Sequence, residues 1–361
     1  MGFWIGVLTF SLVLTLAALV YLVRAFHRFH VIEALGEKRK LLSYVLSFLP
    51  VAGLGLLTFF KPGMGAMIII HLVAFWIVAD VLGRLLKRRG KVYWQGILAI
   101  VACSLYLAMG WVYAHRVVET RYQVKTEKHL SSPLRLVFLA DSHLGTTFDG
   151  EGFARHLQKV QEAEPDLVAI VGDFVDDDST RQDMERSCKA LGELSTTYGV
   201  YFVFGNHDRG YGGSRDFTGE DLARCLIENG VKVLEDEAVP FMENVYLLGR
   251  KDRSNPGRSS MEELMAGCGE DSFVICLDHQ PGDYAAQEKA RVDMVLSGHT
   301  HGGQMVPIGL IGEMLGANDK TYGIEKRGDT TFIVTSGISD WAIPFKTGTV
   351  AEYVVVDIEG A

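Results

Sequence analysis

The sequence predicts two parts in one chain: an N-terminal region of four transmembrane helices, then an α/β layered domain. Three observations carry this expectation. Four long apolar runs lie in the first third, the balance of charge reverses after them, and the remainder consists of short β-rich runs closing on clusters of Asp, Asn or His. With 48% hydrophobic residues in 361, the chain is too apolar for an ordinary soluble enzyme and too long for one small domain.

Residues 1–23 hold no charged side chain, and a helix rising about 1.5 Å per residue crosses a hydrocarbon core about 30 Å thick at that length. A cleaved signal peptide would start basic and have a shorter apolar core, so this run reads as a span. Residues 41–60, 66–86 and 94–114 repeat the pattern, the first two of these joined through Lys61-Pro62-Gly63. The helical region is placed at 1–125, with a linker at 126–133. Lys and Arg are retained on the cytoplasmic side of membranes. Arg24, Arg28, Lys38, Arg39 and Lys40 follow the first span, and Lys87, Arg88, Arg89 and Lys91 follow the third, whereas Lys61 alone follows the second. The expectation is a multi-pass cell-membrane protein with both termini, and hence the C-terminal domain, outside the cytoplasm. Asp80 lies four residues before Arg84 and is expected to pair with it; with His71 it is too little polar lining for a transport pathway.

Residues 1–128 contain 15 Lys and Arg against 5 Asp and Glu, and the rest 20 against 39. A domain so acidic repels polyanions, which makes nucleic acid an improbable partner. The five cysteines have no CxxC spacing, so a zinc ribbon is not indicated. Cys188, Cys225, Cys268 and Cys276 could pair in three ways in an oxidising compartment, and buried free thiols are the expectation.

Beyond residue 133, strands are predicted at 134–140, 167–171, 200–204, 273–277, 293–296, 332–335 and 351–357, with helices at 152–163, 181–194, 220–228 and 261–265. Polar clusters follow five of the strands: Asp141-Ser142-His143, Gly172-Asp173, Gly205-Asn206-His207-Asp208, Asp278-His279, and Gly298-His299-Thr300-His301-Gly302-Gly303-Gln304. Open α/β sheets place ligand sites at such strand ends. A single histidine there is ordinarily a turn or core residue, but five clusters in succession have no comparable structural explanation. Imidazole and carboxylate together suit borderline divalent metals such as Zn, Fe or Mn, and the lack of cysteine argues against a structural zinc knot. The basic segment 250–258 reads as a solvated loop or an anion site, while Arg209 and Tyr211 stand close enough to the third cluster to reach a substrate.

This order of motifs resembles the calcineurin-like metallophosphoesterase superfamily over residues 134–358. The GHTHGGQ run, Lys320-Thr321-Tyr322-Gly323, Pro344-Phe345-Lys346 and Glu352 resemble its membrane-associated branch. The resemblance implies two β-sheets sandwiched by helices, an αββα arrangement, with a dinuclear metal site at one edge. It implies one metal on Asp141, His143, Asp173 and His301, and another on Asp173, Asn206, His279 and His299, so that Asp173 bridges. His207 is implied as the group acting on the leaving oxygen, with Asp208 as its orienting partner or as a turn-fixing residue. Lys346 and Ala351 depart from the family's usual Arg and Pro, and a Lys lacks the planar fork that grips phosphate.

The implied activity is hydrolysis of a phosphodiester, phosphomonoester or pyrophosphate bond by hydroxide formed between two divalent cations (Mn, Fe or Zn). Helices holding such a site near the bilayer suit a lipid-linked or cell-envelope phosphate ester, with membrane lipids as neighbours. The alternative is a non-catalytic membrane sensor on the same fold, which predicts lost ligands; none is missing. Substrate identity, metal pair and oligomeric state have no signature in the sequence.

Overall fold

The structure, a computed structural model, describes residues 2–86, 92–211, 215–306 and 308–361, the side chains of 2–12 and 308 excepted. The basic cluster Lys87, Arg88, Arg89 and Lys91 lies outside the described residues. The chain divides into two compact units, Met1–Met109 and Gly110–Ala361.

The N-terminal unit contains α1 (Gly2–His27), α2 (His30–Gly36), α3 (Lys40–Phe60), α4 (Pro62–Leu85) and most of α5 (Trp94–His115). Among the described residues α3, α4 and α5 are each long and apolar enough to span a membrane, and a fourth span exists if the described part of α1 and α2, bent by 82°, count as one. Pro62 opens α4, where its missing N–H costs no hydrogen bond. Asp80 is held not by Arg84, one turn on, but by Arg28, whose Nη1 lies 2.8 Å from Asp80 Oδ2. The Tyr93 hydroxyl donates to the other carboxylate oxygen at 3.0 Å. Helix packing therefore overrides the local pair that sequence spacing suggests.

The C-terminal unit is built from β1 (Val118–Lys125), β2 (Leu134–Leu139), α6 (Gly150–Glu162), β3 (Leu167–Val171), α7 (Arg181–Gly192), β4 (Gly199–Val203), α8 (Gly219–Glu228), β5 (Lys232–Val233), β6 (Glu237–Met242), β7 (Val245–Gly249), α9 (Met261–Met265), β8 (Phe273–Leu277), α10 (Tyr284–Lys289), β9 (Met294–Ser297), α11 (Ile308–Met314), β10 (Gly323–Arg327), β11 (Thr330–Val334) and β12 (Glu352–Glu359). The strands form two six-stranded sheets, ordered β1-β12-β2-β3-β4-β5 and β10-β11-β9-β8-β7-β6.

Side chains alternate across each strand, and this decides the layers. Leu136, Phe138 and Ala169 of the first sheet share one apolar core with Leu247, Ile275 and Leu296 of the second. Their neighbours Val137, Leu139, Val168 and Ile170 point the other way, against Phe153, Leu157, Leu191 and Leu222 of α6, α7 and α8. Val274, Cys276 and Phe332 on the outer face of the second sheet pack with Met261, Leu264 and Tyr284. Strands buried on both faces read as unbroken apolar runs, as LVAIV of β3 and FVICL of β8 do. The result is the expected pair of sheets between helices.

The lower boundary of this domain differs from the expected residue 134. β1, inside the stretch assigned to helices, runs parallel to β12 from Val118 opposite Glu352 to Lys125 opposite Glu359. Its half-exposed, charge-rich pattern reads in sequence as a juxtamembrane segment, because an edge strand needs apolar residues on one side only. Cys188, Cys225, Cys268 and Cys276 are free thiols.

Candidate metal centre

The five clusters meet where the parallel strands of both sheets end. Asp141 and His143 follow β2, Asp173 follows β3, Asn206 and His207 follow β4, His279 follows β8, and His299 and His301 follow β9. Five of these residues hold a left-handed backbone, with φ of 58° at Asp141, 35° at His143, 52° at Asp173, 71° at His299 and 51° at His301. Such conformations cost about 1–3 kcal/mol each and persist only where the surroundings impose them. Here the loops bond to one another: Asp141 N–H donates to the Gly172 carbonyl at 3.0 Å and His143 N–H to that of Asp173 at 3.1 Å. Gly172 adds a steric requirement, since at φ 79° a Cβ would stand 2.6 Å from His279 Nδ1.

The histidine tautomers follow from what each ring touches. His279 Nδ1 lies 2.8 Å from the Val171 carbonyl, which can only accept, so Nδ1 carries the proton and the neutral ring's lone pair is on Nε2. That Nε2 faces Asp173 Oδ2 at 3.0 Å. His143 Nδ1 donates to Asp176 Oδ2 at 2.9 Å, and its Nε2 lies 3.7 Å from the same Asp173 oxygen. Neither Nε2 has a hydrogen-bond partner among the described residues. Two buried imidazole lone pairs converging on one carboxylate oxygen repel it unless cations or protons lie between, so the donor set fits divalent metal ions.

Among the described residues the ligand atoms fall into three groups, Asp141 with His143 and His301, Asp173 with His279 and His299, and His143 with Asp176 and His207; within each they lie within 4.8 Å of one another, and in the third the Asp176 carboxylate is taken up by hydrogen bonds from the two Nδ1 atoms. The His299 N–H donates to both Asp141 oxygens, at 2.9 and 3.0 Å, and ties the first two groups together. Asn206 Nδ2 donates to the Tyr211 hydroxyl at 2.9 Å, which leaves Oδ1 as the atom that could ligate a metal; it accepts from Gln280 Nε2 only at 3.4 Å. Burial lowers His299 to about 4 and His301 well below its ordinary value, keeping both rings neutral, as metal ligation requires. Burial raises Asp141 to about 6. Burial pushes the Asp173 carboxyl upward, and positive charge at the rings of His279, His143 and His207 holds it well below the usual range, an effect that a cation between them would also supply.

Of the two readings of Asp208, orienting partner of His207 or turn-fixing residue, its hydrogen bonds match the second. Its carboxylate accepts from the backbone N–H groups of Gly205, Phe174, Asp173 and Val175 at 2.7, 2.8, 2.9 and 3.1 Å. The partner of His207 is Asp176, whose Oδ1 accepts from Nδ1 at 2.9 Å while its Oδ2 serves His143. Burial would lower the His207 pKa, but the Asp176 hydrogen bond and nearby carboxylates raise it. Asp176 was not singled out in sequence, although an aspartate three residues after Asp173, on the same strand-end loop, was a usable signal.

Three further expectations change. Lys346, considered for substrate grip, is fully buried; its Nζ pairs with Asp340 at 2.9 Å and donates to the Ser336 and His301 carbonyls at 2.6 and 3.1 Å. It therefore supports the backbone of a metal-site histidine. Arg250 and Arg258 are neither solvated nor turned to an anion site, because both pair with buried Asp278, at 3.0 and 2.5 Å. Arg209 is engaged by Glu235 at 2.5 Å and lies over the Phe204 ring.

The profile of the family described as calcineurin-like phosphoesterase matches residues 134–303. A transmembrane protein with metallophosphoesterase domain from Danio rerio is 29% identical over 327 residues, covering 83% of this chain and 72% of the relative. An uncharacterized metallophosphoesterase of Bacillus subtilis is 30% identical over 224 residues, covering 60% of this chain and 80% of the relative. Among solved structures, a dimetal phosphatase from Danio rerio aligns with a TM-score of 0.35 at 11% identity, covering 56% of this chain and 87% of that one.

Proposed function

The chain belongs to the calcineurin-like phosphoesterase family, and from that premise we propose that it hydrolyses a phosphodiester, phosphomonoester or pyrophosphate bond on a membrane-associated substrate. Asp141, His143, Asp173 and His301 would hold one divalent cation; Asp173, Asn206, His279 and His299 would hold the other. Zn, Fe and Mn suit a set of imidazoles and oxygens without thiolate. The observation that supports this reading most is the placing of Asp173 Oδ2 against two buried imidazole Nε2 atoms, at 3.0 and 3.7 Å. When bound, two such cations activate water and polarise a phosphoryl oxygen.

The chain's own groups supply the rest. With His207 Nδ1–H committed to Asp176, Nε2 is the nitrogen that delivers a proton to the departing oxygen. Asp176 positions both this ring and His143, so one carboxylate sets the geometry of the acid and of a metal ligand. Tyr211 aims Asn206, and Asp208 keeps the turns of β3 and β4 in register. In this reading the catalytic domain begins at β1.

The test is a panel of bis(4-nitrophenyl) phosphate, 4-nitrophenyl phosphate and a prenyl pyrophosphate, assayed on the purified full chain with Mn, Fe or Zn. Metal-dependent release from at least one, abolished by chelator, is the expected result; no release from any with metals bound would favour the sensor reading. The orientation rests on the Lys and Arg of the first and third loops. Protease added to intact spheroplasts is expected to digest the domain after residue 117, and full protection would place it in the cytoplasm.

A further inference from the structure

The loops that carry the metal-site histidines also carry an apolar rim that the chemistry leaves unused. Leu310, Met314 and Leu315 are 67%, 85% and 79% exposed, and Val306 just before α11 is 55% exposed. α11 is packed directly on the histidine loop: a Cβ on Gly303 would stand 2.4 Å from Gly309 Cα. Thr321 binds α11 from the other side, its hydroxyl donating to the Gly309 carbonyl at 3.0 Å and its N–H to Glu313 at 2.6 Å. Between α11, the glycines after His301 and Thr349 runs a mainly apolar groove of about 260 Å³.

A second apolar group adjoins it. Gln304 Nε2 donates to the Trp341 and Ile343 carbonyls at 3.1 and 2.9 Å, and Val306 N–H donates to the Thr347 hydroxyl at 3.2 Å. Trp341 is 49% exposed, and its ring centre lies 5.8 Å from that of His207. The same loop is bonded to the last turn of α5, which folds within the C-terminal unit: Lys346 N–H donates to the Gly110 carbonyl and Ala351 N–H to that of Tyr113, both at 3.0 Å. Trp rings and exposed apolar side chains are stable at a bilayer interface.

We propose that α11 and Trp341 form an interfacial rim inserted at the headgroup and acyl boundary of the bilayer, and that the substrate is a phosphoester lipid. Its hydrocarbon chain occupies the groove beside α11 while its phosphate reaches the cation site around Asp173 and the His207 ring. Large exposed apolar patches at a site mouth otherwise carry a solubility cost in water, and a chain already anchored in a bilayer has a surface on which to bury them. The substrate class rests on the phosphoesterase reading of the site; the insertion of the rim does not.

The experiment compares 4-nitrophenyl decyl phosphate with 4-nitrophenyl methyl phosphate, using the full-length protein in detergent micelles. The wild type is expected to favour the decyl ester in kcat/KM by roughly 10-fold or more, since each buried methylene adds severalfold to binding. Leu310→Glu/Met314→Glu/Leu315→Glu is expected to bring the ratio close to one by lowering kcat/KM for the decyl ester far more than for the methyl ester. Equal rates for the two esters in the wild type, or an unchanged ratio in the variant, would overturn the proposal. If neither diester is cleaved, the phosphodiesterase form of the reading fails separately, and the rim is read in phosphatidylcholine nanodiscs containing a lipid with a diazirine in its acyl chain. Photo-crosslinks within residues 306–315 support insertion; crosslinks confined to the spanning helices exclude it.

Discussion

Asp173→Ala is expected to abolish turnover and to remove or disorder at least one metal ion. The loss should far exceed the roughly 10- to 100-fold caused by removing only a ligand's supporting hydrogen bond. One oxygen of Asp173 faces the Nε2 atoms of His279 and His143, so if Asp173 is shared as proposed, its removal takes a ligand atom from both ions at once. The other oxygen accepts from the His207 N–H at 2.9 Å, so the alanine also frees the turn that carries the acid. Asp173→Asn separates these effects: its amide oxygen can keep the His207 backbone bond, but it lacks the charge that bridging requires. Metal content should fall with activity in both variants, while thermal unfolding distinguishes lost metal from a lost fold.

His207→Ala should behave in the opposite way with respect to metal. Its ring is committed through Nδ1 to Asp176, and in the group it forms with His143 and Asp176 that carboxylate already accepts from both rings, so the ions held around Asp173 and Asp141 should remain. The expected loss in kcat is about 10²-fold or more, a typical general-acid contribution, for an ester with an alkyl alcohol leaving group. A nitrophenolate, whose low pKa makes proton donation nearly unnecessary, should suffer much less. Loss of metal, or equal slowing of the two esters, would remove the acid role from His207.

The contrast between these residues shows which parts of the site were legible beforehand. Strands buried on both faces, such as β3 and β8, are continuous apolar runs, and the polar residues that end them stand out against that background. Asp141, His143, Asp173, Asn206, His279, His299 and His301 all lie at such ends. Partnership within a loop was harder to read: Asp176 and Asp208 are both aspartates in strand-end loops, and only folding shows that Asp208 binds four backbone N–H groups while Asp176 binds two imidazoles. Buried ion pairs were hidden for a related reason. Arg250, Arg258 and Lys346 look like surface cations until Asp278 and Asp340 arrive from distant or intervening loops. The edge strand β1 carries too little apolar character to announce itself, because its pairing energy comes from the backbone ladder with β12. Asp80 illustrates the same limit among the helices, where Arg28, distant in sequence, replaces the neighbour one turn away.

The central claim is that one carboxylate, Asp173, organises two metal ions in a single site. It is tested most directly by counting metals in the purified full-length wild-type protein by mass spectrometry while titrating them back after chelation. Two ions per chain are predicted, with phosphoesterase activity returning only as the second is bound. Full activity with one ion, or with none, would contradict the account.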